Sequence, residues 1–251
     1  MNSQAKSLLV TGGSRGIGAS VARLAAGLGW RIAVNYVRDQ NAAGAVVADI
    51  EKAGGEAFAI QGDVGSEADV LAMFEAVDKR FGGLDGLVNN AGVVDVANRV
   101  DEMSVERIER IMRINVTGSI LCAREAVKRM STRHGGRGGG IVNLSSAAAT
   151  LGSPGLYVDY AAAKGAIDVF TLGLAREVAN EGIRVNAVRP GIIDTEIHAS
   201  GGEPDRVAKM RDLVPMKREG TADEVARSIL WLLSDEASYT TGAVINVTGG
   251  R

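Results

Sequence analysis

Residues 11–18 read Thr11-Gly12-Gly13-Ser14-Arg15-Gly16-Ile17-Gly18, and their place in the chain decides the fold. They follow a short apolar run, 7–11, with the character of a buried strand. They open a segment, 16–28, whose apolar spacing predicts a helix. The spacing G-x-x-x-G-x-G permits a tight turn, close approach of backbone N–H groups to a ligand, and close helix–strand packing. A helix N-terminus carries partial positive charge, so a strand–glycine loop–helix unit predicts a cradle for a pyrophosphate. Without a ligand, the same residues make a tight β–α turn.

Outward from this loop, runs at 31–36, 57–61, 86–89, 141–144, 184–188 and 243–247 predict further strands. Between them, 40–53, 67–81, 104–132, 158–181 and 221–234 predict helices, and Gly29, Gly54 and Gly182 stand where three helices should stop. Alternation of this length predicts an α/β fold: a doubly wound parallel sheet of about seven strands with helices on both faces. No linker interrupts it, so residues 1–251 are expected to form a single domain. The run GGRGGG at 135–140 reads as a loop, and 192–220 as an inserted loop or small helices.

Composition narrows the function classes. Glycine supplies 33 of 251 residues without a collagen repeat, and 46% apolar residues exclude a disordered chain. A net charge of −2 argues against a nucleic-acid partner. One cysteine, Cys122, permits no internal disulfide, and neither a signal-peptide core nor an apolar run of membrane-spanning length is present. A soluble, cytoplasmic protein is expected. His134 and His198 are isolated, so no metal is expected. Arg124, Lys128, Arg129, Arg133 and Arg137 form a basic stretch, read as cations near a helix C-terminus rather than as a docking patch. Asp194 and Glu196 read as loop residues.

Tyr160 and Lys164 lie four apart in a predicted helix and share a face. A phenol titrates near pH 10, and a nearby ammonium favours the phenolate, so the pair predicts an acid/base group. Tyr157 has Ala161 rather than lysine four residues on, which leaves it as a pocket-lining candidate.

TGGSRGIG, Asn89-Asn90-Ala91-Gly92, Asn115, Ser146, Tyr160-x-x-x-Lys164, Pro190-Gly191 and Tyr239-x-x-Gly242 occur in one order along essentially the whole chain. Together they resemble the short-chain dehydrogenase/reductase family, in the branch similar to glucose 1-dehydrogenase and 3-oxoacyl-carrier-protein reductase. The resemblance implies a Rossmann-type sheet, a nicotinamide cofactor and a homotetramer. It implies that Tyr160 is the acid/base, that Lys164 tunes it and holds the ribose, and that Ser146 orients the substrate. Asn115 is implied to kink the fourth helix and serve a proton relay. Ser145 competes with Ser146, which stands fourteen residues before Tyr160 where many relatives have thirteen, so the loop 153–159 should differ in shape.

The cofactor contacts implied are Gly12, Ser14, Arg15, Gly16, Ile17, Gly18, Asn35, Tyr36, Arg38, Asp63, Val64, Asn89, Ala91, Gly92, Tyr160, Lys164, Pro190, Gly191, Ile193 and Thr195. An acid ending the second strand would bond the ribose hydroxyls of NAD, but neutral Tyr36 stands there. Arg38 and Arg15 lie nearby to take a 2′-phosphate. NADP(H) is therefore expected in preference to NAD(H), with Asp39 as the counterweight. The implied function is hydride exchange between the nicotinamide and a carbonyl or secondary alcohol, with 192–220 closing over a small-molecule substrate. A carrier-bound 3-oxoacyl substrate is a rival, weakened by Glu181 where carrier-dependent members have a basic residue. A nucleotide-sensing binding protein without turnover is the rival from another class.

Overall fold

The computed structural model describes residues 5–195, 202 and 206–251. One seven-stranded sheet runs through it, made of β1 (Ser7–Val10), β2 (Arg31–Tyr36), β3 (Ala57–Gln61), β4 (Gly86–Asn89), β5 (Gly139–Leu144), β6 (Ile183–Pro190) and β7 (Val244–Val247). Its order is β3-β2-β1-β4-β5-β6-β7, with every neighbouring pair parallel. The chain builds outward from β1 to β3, then returns to place β4 on the other side of β1. That reversal opens a crevice at the C-terminal ends of β1 and β4, where open α/β sheets bind ligands.

Both faces are covered, which is why the strands are continuously apolar. Leu8, Val10, Ile32 and Val34 pack under α1 (Gly16–Gly27), α2 (Gln40–Lys52) and a late helix over Ala222–Leu233. Leu9, Ala33, Leu87, Ile141 and Val185 face α3 (Glu67–Phe81), a helix over Gly118–Met130 and another over Val158–Val178. The sheet and its two helical layers therefore match the expected α/β architecture, and Gly29, Gly54 and Gly182 take the positive φ values of helix stops.

The differences from expectation are local. The helix predicted over 104–132 is α4 (Val105–Met112) and α5 (Gly118–Met130), separated by a π-helical turn at Arg113–Thr117 that contains Asn115, where the resemblance implied a kink. Beyond β5 come α6 (Ala148–Leu151), which the sequence does not announce, and α7 (Val158–Val178). Within 192–220 the described residues form α8 (Arg206–Met210) and a 3₁₀ turn, Arg211–Leu213, and Ile193 bridges to Gly220. The late helix Ala222–Leu233 is α9, started by a capping box between Thr221 and Glu224. Glu196 and His198 lie outside the described residues, as does part of 192–220.

The GGRGGG run is not wholly a loop: its last two residues begin β5. Its glycines have a packing reason. A Cβ on Gly138 would lie 2.5 Å from the carbonyl oxygen of Gly182, and one on Gly139 2.5 Å from that of Asp85. Side chains here would force two backbones apart. Among the described residues, no helix is long and apolar enough to cross a membrane.

Candidate active site

The glycine loop is held from both neighbouring strands. The Gly12 N–H donates to Asn35 Oδ1 (3.0 Å) and the Gly13 N–H to the Asn35 carbonyl (2.8 Å). From β4, Asn90 Nδ2 donates to the carbonyls of Thr11 and Gly12, each at 2.9 Å. The Asn90 and Ala91 N–H groups donate to Thr11 Oγ1. Helix α1 packs so close that a Cβ on Gly18 would stand 2.5 Å from the Gly12 carbonyl oxygen. Its N-terminus has no side-chain cap from Arg15 and no acidic residue in its first turn. The first N–H groups of α1 thus keep their positive potential for an anion, and the loop fits a dinucleotide pyrophosphate.

Two residues expected as cofactor contacts, Asn35 and Asn89, are bonded to backbone around the site. Asn35 is fully buried, its amide donating to the Gly62 carbonyl (2.9 Å) while its oxygen shapes the loop. Asn89 is also buried and donates to Asn143 Oδ1 and the Ser119 carbonyl. Both act through backbone they position. At the end of β2, Tyr36 is buried while Arg38 and Arg15 are exposed. Asp39 caps α2 by accepting from the Ala42 N–H at 2.9 Å, while sharing a cleft with Ser14, Arg15 and Gly16. Asp63 accepts from the Gly65 N–H and from Arg113 Nη1, and Val64 is packed beneath Gly118.

Across the crevice, Ser146, Tyr160, Lys164, Gly92, Pro190, Gly191, Ile193, Ile17 and Thr195 line one cavity. Ser146 and Tyr160 lie together on this cavity, where the Ser146 hydroxyl acts to lower the Tyr160 phenol and also accepts from the Ala148 N–H at 3.1 Å. Ser145, the competitor, is buried and donates to the Lys164 carbonyl (3.3 Å). The Lys164 ammonium lies 5.6 Å from the Tyr160 ring centroid and donates to the Leu144 carbonyl at 2.6 Å.

The electrostatics differ from the sequence expectation. Burial pushes the Tyr160 phenol up to about 12, with the Ser146 hydrogen bond pulling the other way. Burial also brings the Lys164 ammonium down to about 8, opposed by the Asp168 carboxylate. A buried cation loses solvation, so Lys164 is the group titrating nearest neutrality here. The expected lowering of the phenol by Lys164 is not the dominant influence in this structure; desolvation is.

Asn115 sits in the π-helical turn, fully buried. Its Nδ2 donates to the carbonyls of Val93 and Ile111, each at 2.9 Å, and its Oδ1 accepts from the Val93 N–H. The kink and the start of the 93–99 loop are therefore one hydrogen-bonded unit.

Two bracing residues escaped the sequence reading. Arg107 of α4 forms a two-pronged ion pair with Asp159 of α7: Nε to Oδ2 at 2.8 Å and Nη2 to Oδ1 at 3.2 Å. Arg107 Nη1 also donates to the Val96 carbonyl (2.6 Å), and Asp159 accepts from the Tyr160 N–H (2.9 Å). Both side chains are buried, and the carboxylate holds the guanidinium above its usual range. Their separation of 52 residues carries no periodic signal. An arginine among Glu106, Glu109 and Arg110 in a short amphipathic helix reads as surface charge.

Comparison with known proteins places this geometry. The family described as enoyl-(acyl carrier protein) reductase matches residues 12–251. An Escherichia coli K12 protein named uncharacterized oxidoreductase YgfF is 56% identical, covering 97% of this chain and 98% of its own. Glucose 1-dehydrogenase 2 of Bacillus subtilis is 37% identical, covering 98% of this chain and 94% of its own. A short-chain dehydrogenase from Burkholderia cenocepacia J2315, solved in complex with NADP, superposes with a TM-score of 0.89 at 35% identity, covering 98% of both chains. A parallel sheet with a glycine-loop crevice, a serine–tyrosine–lysine cluster facing it, and relatives matched end to end leave one assignment: the chain belongs to the short-chain dehydrogenase/reductase family and is an oxidoreductase.

Proposed function

We propose that this protein is an NADP(H)-dependent carbonyl reductase or secondary-alcohol dehydrogenase, with Ser146, Tyr160, Lys164 and Asn115 as its catalytic residues. The observation that carries the reading is the gathering of Ser146, Tyr160 and the buried Lys164 ammonium on one cavity, across a crevice from the uncapped N-terminus of α1. Bound there, NADPH supplies a hydride to the carbonyl carbon, and one proton to the oxygen completes the reduction to an alcohol. Ser146 donates a hydrogen bond to the substrate oxygen and places it against Tyr160. The phenol, protonated throughout the neutral range, delivers the proton to that oxygen. Lys164 stabilises the phenolate that results and holds ribose hydroxyls. Asn115 fixes the π-helical turn through which the proton is replaced.

Three observations support the finer points. Arg38 stands exposed past β2 and Arg15 exposed in the glycine loop, while the Asp39 carboxylate caps α2, which favours a 2′-phosphate. The basic stretch is largely neutralised: buried Glu125 receives Arg124, Lys128 and Arg129, and Arg137 pairs with Asp85. Glu181 accepts from Ser131 Oγ. Both arrangements favour a free small molecule over an acidic carrier protein. The further reading is of a cytoplasmic homotetramer in which 192–220 covers the substrate. Apolar side chains left in the open on α4 and α7, Val105 and Val169 among them, support the assembly.

The test is NADPH oxidation against a panel of carbonyl compounds. Tyr160→Phe should abolish turnover while NADPH still binds, and Arg38→Asp should weaken NADPH far more than NADH. Turnover by Tyr160→Phe at the wild-type rate would sink the mechanism. A strong native preference for NADH would sink the cofactor assignment.

A further inference from the structure

Helix α7 carries Tyr160 and Lys164, and one turn beyond Lys164 it carries Asp168. Residues four apart stand one above the other on a helix face. The Asp168 side chain is only 12% exposed, and Arg189 of β6 donates to it through both Nε and Nη2. Both bonds, at 3.0 and 2.8 Å, go to the same oxygen, Oδ2. The other oxygen, Oδ1, is buried and has no hydrogen-bond partner among the described residues. Half of this carboxylate is therefore stripped of water and left unbonded by its guanidinium. A buried anion in that state is tolerated where a further cation lies near it.

The sheet brings that cation. Lys164 is fixed on the Leu144 carbonyl, and Leu144 pairs in register with Val188, the residue before Arg189. The two polar anchors of α7 are thus neighbours at the C-terminal ends of β5 and β6. The other charges around α7 are engaged elsewhere. α6 and β5 carry no charged side chain. On α4 and the π-helical turn, Arg107, Arg110 and Arg113 pair with Asp159, Asp95 and Asp63, while Glu106 and Glu109 are exposed. Glu125 of α5 and Glu181 after α7 are bonded to Arg129 and Ser131, and Arg176 and Glu177 of α7 are exposed. Besides Arg189, β6 brings Arg184, which donates to the Leu232 and Ser234 carbonyls.

We propose that Asp168 is a positioning residue for the reaction: aimed by Arg189, its carboxylate is the counter-charge that holds the Lys164 ammonium at the cofactor crevice. The use made of Lys164 rests on the reductase reading of the same site; its pairing with Asp168 does not. Burial acts to discharge Lys164, and Asp168 opposes it. Arg189 directly precedes Pro190 and Gly191, so the same ion pair ties α7 to the segment that lines the cavity.

The experiment follows the ε-carbon NMR signal of Lys164 against pH in the full chain labelled with carbon-13 lysine, without cofactor. The signal is assigned by its loss in Lys164→Arg. The native midpoint should lie near 8. Asp168→Asn keeps an acceptor for Arg189 but not the charge, and should lower the midpoint by about half a unit to one unit. Asp168→Glu should restore most of the difference. Arg189→Gln should move the midpoint the other way, upward, because the carboxylate then faces Lys164 alone. The pH profile of kcat/KM for NADPH should follow each displacement. A merely structural role would not send the two neutralising variants in opposite directions. A midpoint unmoved or raised in Asp168→Asn overturns the proposal, as does one unmoved or lowered in Arg189→Gln. Asp168→Glu falling as far as Asp168→Asn overturns it too, and if Asp168→Asn does not fold, Arg189→Gln decides. The titration needs neither cofactor nor substrate, so its failure is distinct from that of the reductase reading, which shows as wild-type turnover by Tyr160→Phe.

Discussion

At the scale of single residues, the informative group is Lys164. It lies four residues after Tyr160, and its ammonium is bonded to the Leu144 carbonyl and stands 5.6 Å from the centre of the Tyr160 ring. Burial sets its titration near 8, below the ordinary lysine range, so it loses its proton as pH rises through about 8. Tyr160, near 12, remains protonated across the same interval. If the charged lysine is what holds cofactor and phenolate, kcat/KM for NADPH in the reductive direction, which reports groups of the free enzyme, should be full below about 8 and fall above it. Lys164→Arg keeps its charge beyond pH 12 and should remove that inflection, whatever it does to the maximum. A profile flat from about 7 to about 9 in the native enzyme would rule the assignment out.

At the scale of elements, the Arg107–Asp159 pair joins α4, the start of α7 and the 93–99 loop in one buried contact. Removing one partner of such a pair strands the other charge away from water, at a typical cost of about 3–5 kcal/mol. Asp159→Asn should therefore lower the unfolding free energy by about 3 kcal/mol in urea titrations. It should also reduce kcat, because the Tyr160 N–H loses its charged acceptor. A change under about 0.5 kcal/mol would show that the pair is solvated in solution. The same scale shows where local reading ends. The break between α4 and α5 leaves little trace in the apolar spacing, which continues across it. It exists because the Asn115 amide reaches out of the helix to Val93. The glycines of 135–140 look like a flexible loop, yet Gly138 and Gly139 are required by the backbones of Gly182 and Asp85, 44 and 54 residues away.

At the scale of the whole molecule, the strand order places the two halves of the site on either side of one crevice. The phosphate-loop half comes from β1, β2 and β4 with α1. The chemical half comes from β5, α7 and the segment after β6. Val169 on α7 remains 73% exposed, and Val105, Ile108 and Met112 of α4 stay accessible. The homotetramer reading predicts that these faces are covered in solution. Light scattering should give a mass near four chains, and Val169→Asp should shift it toward smaller species without unfolding the protein. A native monomer would refute it.

What the sequence determined alone was the class of fold and most of the chemical inventory. Strand–helix alternation, the glycine loop and the Tyr160–Lys164 spacing are all local, set within a few residues by sterics and periodicity, and the sheet realises them nearly residue for residue. What only the tertiary structure decided depends on neighbours distant in the chain. It shows Ser145 buried against the Lys164 carbonyl, Asn35 and Asn89 bonded to neighbouring backbone, and Asp39 as a helix cap. It also shows Arg107 buried against Asp159. Burial governs each of these outcomes, including the inverted titration of tyrosine and lysine. Burial is a property of the packed chain, and no window of sequence contains it.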